Sequence, residues 1–111
     1  MTDRPFALFE LPDLEKRQRQ TDDPYYEFLR VPALNCGLYV LPVGATDRQT
    51  PHAEDEVYVV LGGLGVFTVE GSDRTVQKGS VLYVKAGVDH RFHSITQDLT
   101  VLVLFSSAQP E

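Results

Sequence analysis

Much that would betray a function is missing from this sequence. Cys36 is its only cysteine, so no intrachain disulfide can form and no Cys-x-x-Cys zinc site exists. We read it as a small buried residue on a strand, able to act as a nucleophile only if a histidine reached it. Basic residues are in deficit: 10 Lys and Arg stand against 16 Asp and Glu, for a net charge of -6. That balance argues against a nucleic-acid partner, which needs a basic face for phosphates. It gives no support to an anionic membrane surface either, although a local basic pocket for an acidic small molecule stays compatible with it. No apolar run approaches the roughly 20 residues of a membrane span. No basic-headed apolar leader opens the chain, so a soluble protein of a reducing cytoplasm is expected. There is no Gly-rich phosphate loop and no Gly-x-Ser-x-Gly. Tandem repeats, low-complexity tracts and linkers are also lacking.

The 111 residues suit one domain, with 42% hydrophobic and 23% charged residues, an ordinary globular balance. A lone domain of this size leaves a large share of its surface wet, and a second subunit would help to cover it. Residues 1–30 are the least patterned. The run from Asp13 to Gln20 favours helix but has almost no apolar face, so it reads as a short exposed helical turn or a loop. Thr21-Asp22-Asp23-Pro24 is a turn signal, and Tyr25, Tyr26, Phe28 and Leu29 return the chain to the core as an arm on the barrel or on a neighbour.

After Pro32 no segment has a 3.6-residue apolar period. Short β-type runs follow instead: 35–43, 56–61 ended by Gly62-Gly63, 66–69, 75–77, 81–84, 91–95 and 99–105. Turn signals every eight to twelve residues or so indicate a β-sandwich or barrel. Val57 to Leu61 and Val101 to Phe105 are apolar on both parities, which suggests burial on both faces and hints at a homodimer. The organisation expected is an N-terminal arm over 1–30, a barrel over 31–106 and a polar tail over 107–111.

Side chains at even spacing share one face of a strand. Thr50, His52, Glu54, Glu56 and Tyr58 therefore share a parity, and so do His90, Phe92 and Ser94, with His93 pointing the other way. A neutral imidazole and a carboxylate on one face can both bind a divalent ion. The spacing then becomes specific. Gly44, five residues, Thr50-x-His52, three residues, Glu56, six residues and Gly63 resembles the first motif of the cupin family, Gly-x5-His-x-His-x3or4-Glu-x6-Gly. Gly79, five residues, Lys85-x-Gly87, two residues, His90, three residues and Ser94 resembles the second, Gly-x5-Pro-x-Gly-x2-His-x3-Asn. Fifteen residues separate Gly63 from Gly79, a gap similar to that of small microbial cupins. The resemblance covers about residues 35–105.

This resemblance implies an all-β jelly roll, a double-stranded β-helix, holding one divalent metal ion (Fe, Mn, Ni or Zn). Carried over position by position, the family's ligands fall on Thr50, His52, Glu56 and His90. Thr50 is a poor ligand, so His52, Glu56 and His90 form the implied metal set: two imidazoles and one carboxylate, as in non-haem Fe(II) oxygenases. With fewer ligands, metal binding would be weaker. Lys85 and Ser94 replace the motif proline and asparagine. Gln49 and Glu54 are further candidates near the absent ligand, whereas Asp55 reads as a surface charge. Tyr58 is the candidate acid or base. Tyr39, Phe92 and Tyr83 are candidate substrate contacts, and Arg48 is the cation placed to hold a substrate carboxylate, ahead of Arg91, whose parity is outward. The function implied is a metal-dependent reaction on a small organic molecule inside the barrel, of dioxygenase, isomerase, lyase or decarboxylase type. The alternative is a non-enzymatic ligand-binding or sensing barrel. In either case the partners expected are a small molecule and a second subunit, with no nucleic acid and no membrane.

Overall fold

The computed structural model describes residues 5–47 and 53–106. One helix, α1 (Leu11–Arg19), precedes six strands: β1 (Tyr25–Val31), β2 (Leu34–Leu41), β3 (Glu56–Val69), β4 (Ser72–Gln77), β5 (Val81–Val84) and β6 (His90–Ser106). Pro12 sits in the first turn of α1, where its missing N–H costs nothing. Lys16, Arg17 and Arg19 lie in the last turn, against the negative end of the helix dipole. The helix does have a buried face, made by Leu14 and Gln18. Their i, i+4 spacing places both on one side. The Gln18 amide donates to the carbonyls of Asp23 (3.3 Å) and Pro24 (3.4 Å), which ties α1 to the chain entering β1.

The sheet order is β1-β2-β6-β3-β4, antiparallel throughout, with β5 also paired to β3. The sheet thus begins at Tyr25, and the C-terminal part of the expected arm is its edge strand. Pro32 and Ala33 form the turn joining β1 to β2. Two elements differ from the short strands read in the sequence. The runs 56–61 and 66–69 are one strand, β3, and the runs 91–95 and 99–105 are one strand, β6. Gly62-Gly63 does not end β3. It marks a bend, where the register to β6 shifts between Val60 and Gly62 and again between Gly62 and Leu64. A bulge of this kind turns a strand without breaking its pairing.

The two bent strands build two layers. In one, Glu56 to Val60 pairs with Val101 to Phe105, flanked by β5 on one side and by β2 and β1 on the other. In the other, Val66 to Val69 pairs with His90 to His93, and β4 lies on the far edge. The core between them contains Tyr39, Leu41, Tyr58, Val60, Phe67, Val76, Val84, Phe92, Leu99, Val101 and Val103. On the outer face Cys36 and Leu38 are also buried. They alternate with inward positions of β2, the strand against which α1 packs together with β1. Of the described residues, no helix is long and apolar enough to cross a membrane.

Candidate functional site

Glu56 is the first residue of β3 and His90 the first of β6, one from each layer. Strand alternation turns both inward, and their side chains meet: His90 Nε2 lies 3.0 Å from Glu56 Oε1, each side chain 1% exposed. Tyr58, two residues along β3 and fully buried, completes the group. Its hydroxyl donates to Glu56 Oε2 at 3.2 Å and lies 2.9 Å from His90 Nε2. His90 Nδ1 donates to the Val88 carbonyl at 2.7 Å, which fixes the ring orientation and leaves Nε2 facing the carboxylate. Burial alone would lower the His90 pKa. The hydrogen bonds to Glu56 and Val88, together with the fields of the Glu56 and Asp47 carboxylates, outweigh it and hold the pKa above the ordinary imidazole value.

Aromatic rings wall this group. Phe92 lies 5.2 Å from Tyr58, centroid to centroid, and Phe67 lies 5.8 Å from both Tyr58 and His90. Such a dry surround strengthens every polar contact inside it. Beside Glu56, at the strand ends, a pocket of about 370 Å³ opens between Leu34, Val57, Leu104, Phe105 and Ser106.

The residues named from sequence do not all converge. Glu56, Tyr58, His90 and Phe92 do. His52 and Arg48, with Gln49 and Thr50, lie outside the described residues. Tyr39 is buried on the inner face, but its hydroxyl is held by Asp47 at 2.7 Å. Tyr83 stands apart: β5 turns Leu82 and Val84 inward, so Tyr83 faces out beside Val57 and is 63% exposed. Ser94 does not share the face of His90. It adopts φ 50°, is exposed and meets His93 Nδ1 at 3.0 Å. That left-handed residue interrupts the alternation on which the parity argument relied. His93 faces outward, bonded through Nε2 to the Thr68 hydroxyl. Lys85 and Arg91 are exposed, Glu54 is half-buried, and exposed Asp55 accepts a bond from the Ala86 N–H at 2.8 Å.

Sequence reasoning missed Asp47. It is 4% exposed, and its two oxygens accept from the Tyr39 hydroxyl and from the Phe92 N–H at 2.9 Å. It thereby fastens the connection that leads to His52 onto β6, two residues from His90. A single aspartate in a loop gives no periodic or motif signal.

Comparison with known proteins follows the same lines. A family model described as a cupin domain matches residues 37–106. The chain belongs to the cupin family. This cupin is 49% identical over 98 residues to the uncharacterized protein SCO3923 of Streptomyces coelicolor, covering 88% of this chain and 93% of the relative. Its fold superposes on KdgF from Halomonas with a TM-score of 0.69 at 21% identity, over 77% of this chain and 78% of that one. It also superposes on the DMSP lyase DddQ of Ruegeria pomeroyi with a TM-score of 0.64 at 23% identity, over 68% of this chain and 39% of that one.

A metal ion is the group that this family implies, and the residues present fit it. Donors that share one ion at about 2.1 Å sit roughly 3.0 to 3.4 Å apart as the angle between them opens from octahedral to tetrahedral. The 3.0 Å between Glu56 Oε1 and His90 Nε2 is within that span. The bond from Nδ1 to Val88 is the outer contact typical of a metal-bound histidine. Among the described residues no group of three His, Cys, Asp or Glu side chains converges. The third implied ligand, His52, lies outside them.

Proposed function

We propose that this cupin holds one divalent metal ion through His52, Glu56 and His90 and acts on a small organic molecule in the barrel. The observation that carries the reading is the buried contact of Glu56, Tyr58 and His90, one acid, one phenol and one imidazole within 3.2 Å of each other. When bound, the ion supplies Lewis-acid polarisation of substrate oxygens. The chain's own groups do the rest. Glu56 and His90 fix the reacting end of the substrate between the two layers. The Tyr58 hydroxyl can pass its proton to a neighbouring substrate atom, and the phenolate so formed takes a proton back before the next turnover. Phe67 and Phe92 exclude water from that exchange. DddQ illustrates lyase chemistry on this fold, but the fold does not choose the reaction.

Elemental analysis of protein purified without added metal tests the reading. One ion per chain is expected, absent from His90→Ala and retained in His93→Ala, whose imidazole faces outward. Because His90→Ala takes the imidazole away from a buried carboxylate, at about 3–5 kcal/mol, His90→Gln is measured beside it and should also lose the ion. A chain that carries no metal and takes none up would make it a metal-free binding barrel. Equal losses from His90 and His93 variants would overturn the ligand assignment.

A further inference from the structure

We infer that the inner face of β1 and β2 carries a second polar subsite, formed by Tyr25, Glu27 and Asn35, that binds a neutral vicinal diol at the far end of the substrate. The inference rests on the proposed function only in taking the barrel to hold a small molecule.

Among the described residues, three buried side-chain atoms lack a hydrogen-bond partner: the Tyr25 hydroxyl, Glu27 Oε2 and Asn35 Oδ1. Buried polar atoms are nearly always paired in native folds, so a gathering of unpaired ones points to a partner that is not part of the chain. The sheet register puts all three on one face. Tyr25 pairs with Tyr39, Glu27 with Gly37 and Asn35 with Phe105, and the bulge after Glu27 keeps these positions inward. Gly37 has no side chain, and the Tyr25 ring fills that space: a Cβ there would overlap the ring and the hydroxyl. Tyr25 also packs edge-on against Phe105, with centroids 6.2 Å apart. Phe105 stands between Asn35 and Glu56 in register. Two strand spacings, about 10 Å, thus separate Asn35 from Glu56 along the sheet, a span that a small molecule can bridge.

The chemistry of the three atoms selects the ligand. Tyr25 offers an O–H donor, while Glu27 Oε2 and Asn35 Oδ1 accept only. Burial first, then the carboxylates of Glu27 and Glu56, hold the Tyr25 pKa above the ordinary tyrosine value, so the hydroxyl remains a donor. A carboxylate or phosphate ligand would leave both acceptors unpaired and face the Glu27 charge. An ammonium would leave the Tyr25 proton without an acceptor. Glu27 already has its cation, since Oε1 binds Arg30 Nη2 at 2.9 Å. Two adjacent hydroxyls match this set, since one can accept from Tyr25 while the pair donates to Glu27 and Asn35.

Xylitol is a suitable probe, titrated into chelator-treated protein and followed by backbone amide NMR. Saturable shifts confined to β1 and β2 are expected. Tyr25→Phe, which keeps the ring, should weaken binding about five- to tenfold, the loss of one neutral hydrogen bond. Asn35→Ala should do the same. Because the titration is made on chelator-treated protein, it needs no bound ion, so a failure of the metal assignment leaves this result standing. The inference is overturned by an absence of saturable shifts, by binding of 1,3-diaminopropane or glutarate in place of xylitol, or by an unchanged constant in Tyr25→Phe. A xylitol-soaked crystal holding only ordered water on the three atoms would overturn it equally.

Discussion

Tyr39 shows how a single buried phenol can couple the fold to pH. Burial, then its hydrogen bond to Asp47, then the Asp47 and Asp23 carboxylates, raise its pKa above the ordinary tyrosine range. The folded state therefore holds this proton more tightly than the unfolded chain does. The corresponding stability is fully present below about pH 10, where both states are protonated, and is lost as pH rises further. Denaturant titrations between pH 8 and 11 should give an unfolding free energy that falls with pH. Tyr39→Phe should make that slope shallower and should cost about 1–3 kcal/mol at neutral pH, because the buried Asp47 carboxylate loses the Tyr39 donor. A parent profile that stays level to pH 11 would contradict the buried contact. Residues such as Glu56, Tyr58 and His90 were legible beforehand because their spacing is local: even steps along a strand and fixed steps from turn glycines. Asp47 was not, since its contacts with Tyr39 and Phe92 depend on how the chain folds back, and neither was the placing of the Tyr25 ring over Gly37, a glycine that no motif contains.

Among the strands, the legible part was their existence and the illegible part their continuity. Gly62-Gly63 reads as a terminator because glycine weakens a strand. In the folded chain β3 and β6 approach so closely at Gly63 that only glycine fits. Gly63 has φ 101°, and a Cβ on it would run into the Asp98 carbonyl and the Leu99 backbone, whereas one on Gly62 would meet nothing within 4 Å. The bend made by Gly63 lets Glu56 and His90, one from each layer, face each other. Gly63→Ala should therefore cost at least about 2 kcal/mol, from the left-handed backbone and the overlap together. Gly62→Ala, one residue away, should stay within about 0.5 kcal/mol. Urea midpoints of the two variants make the comparison, and equal midpoints would place the bend elsewhere. Tyr83 shows the opposite failure: its aromatic character suggested the cavity, but parity along β5 put it outside.

Among the described residues of the whole molecule, some apolar surface stays exposed. Helix α1 packs on β1 and β2, where outward-facing Cys36 and Leu38 are buried. The rest of that face continues as Leu104, Val57 and Tyr83 in one row and Leu102, Val59 and Val81 in the next. Val81 is 67% exposed, and none of the six side chains carries charge. Ahead of the helix, Phe6 and Leu8 are 75% and 78% exposed. Two uncovered apolar surfaces on one chain are each covered if a second copy packs about a two-fold axis, since such an interface uses the same patch on both subunits. We therefore propose a homodimer closed on the outer face of β3, β5 and β6. Light scattering should give twice 12.4 kDa for the parent. The double variant Val81→Lys with Tyr83→Lys should give a monomer, because charges buried at such an interface would lack partners. In a chain that is already monomeric, both substitutions would fall on exposed positions and change stability by no more than about 0.5 kcal/mol. A parent mass of one chain, or a double variant that still dimerises, would exclude this face as the interface.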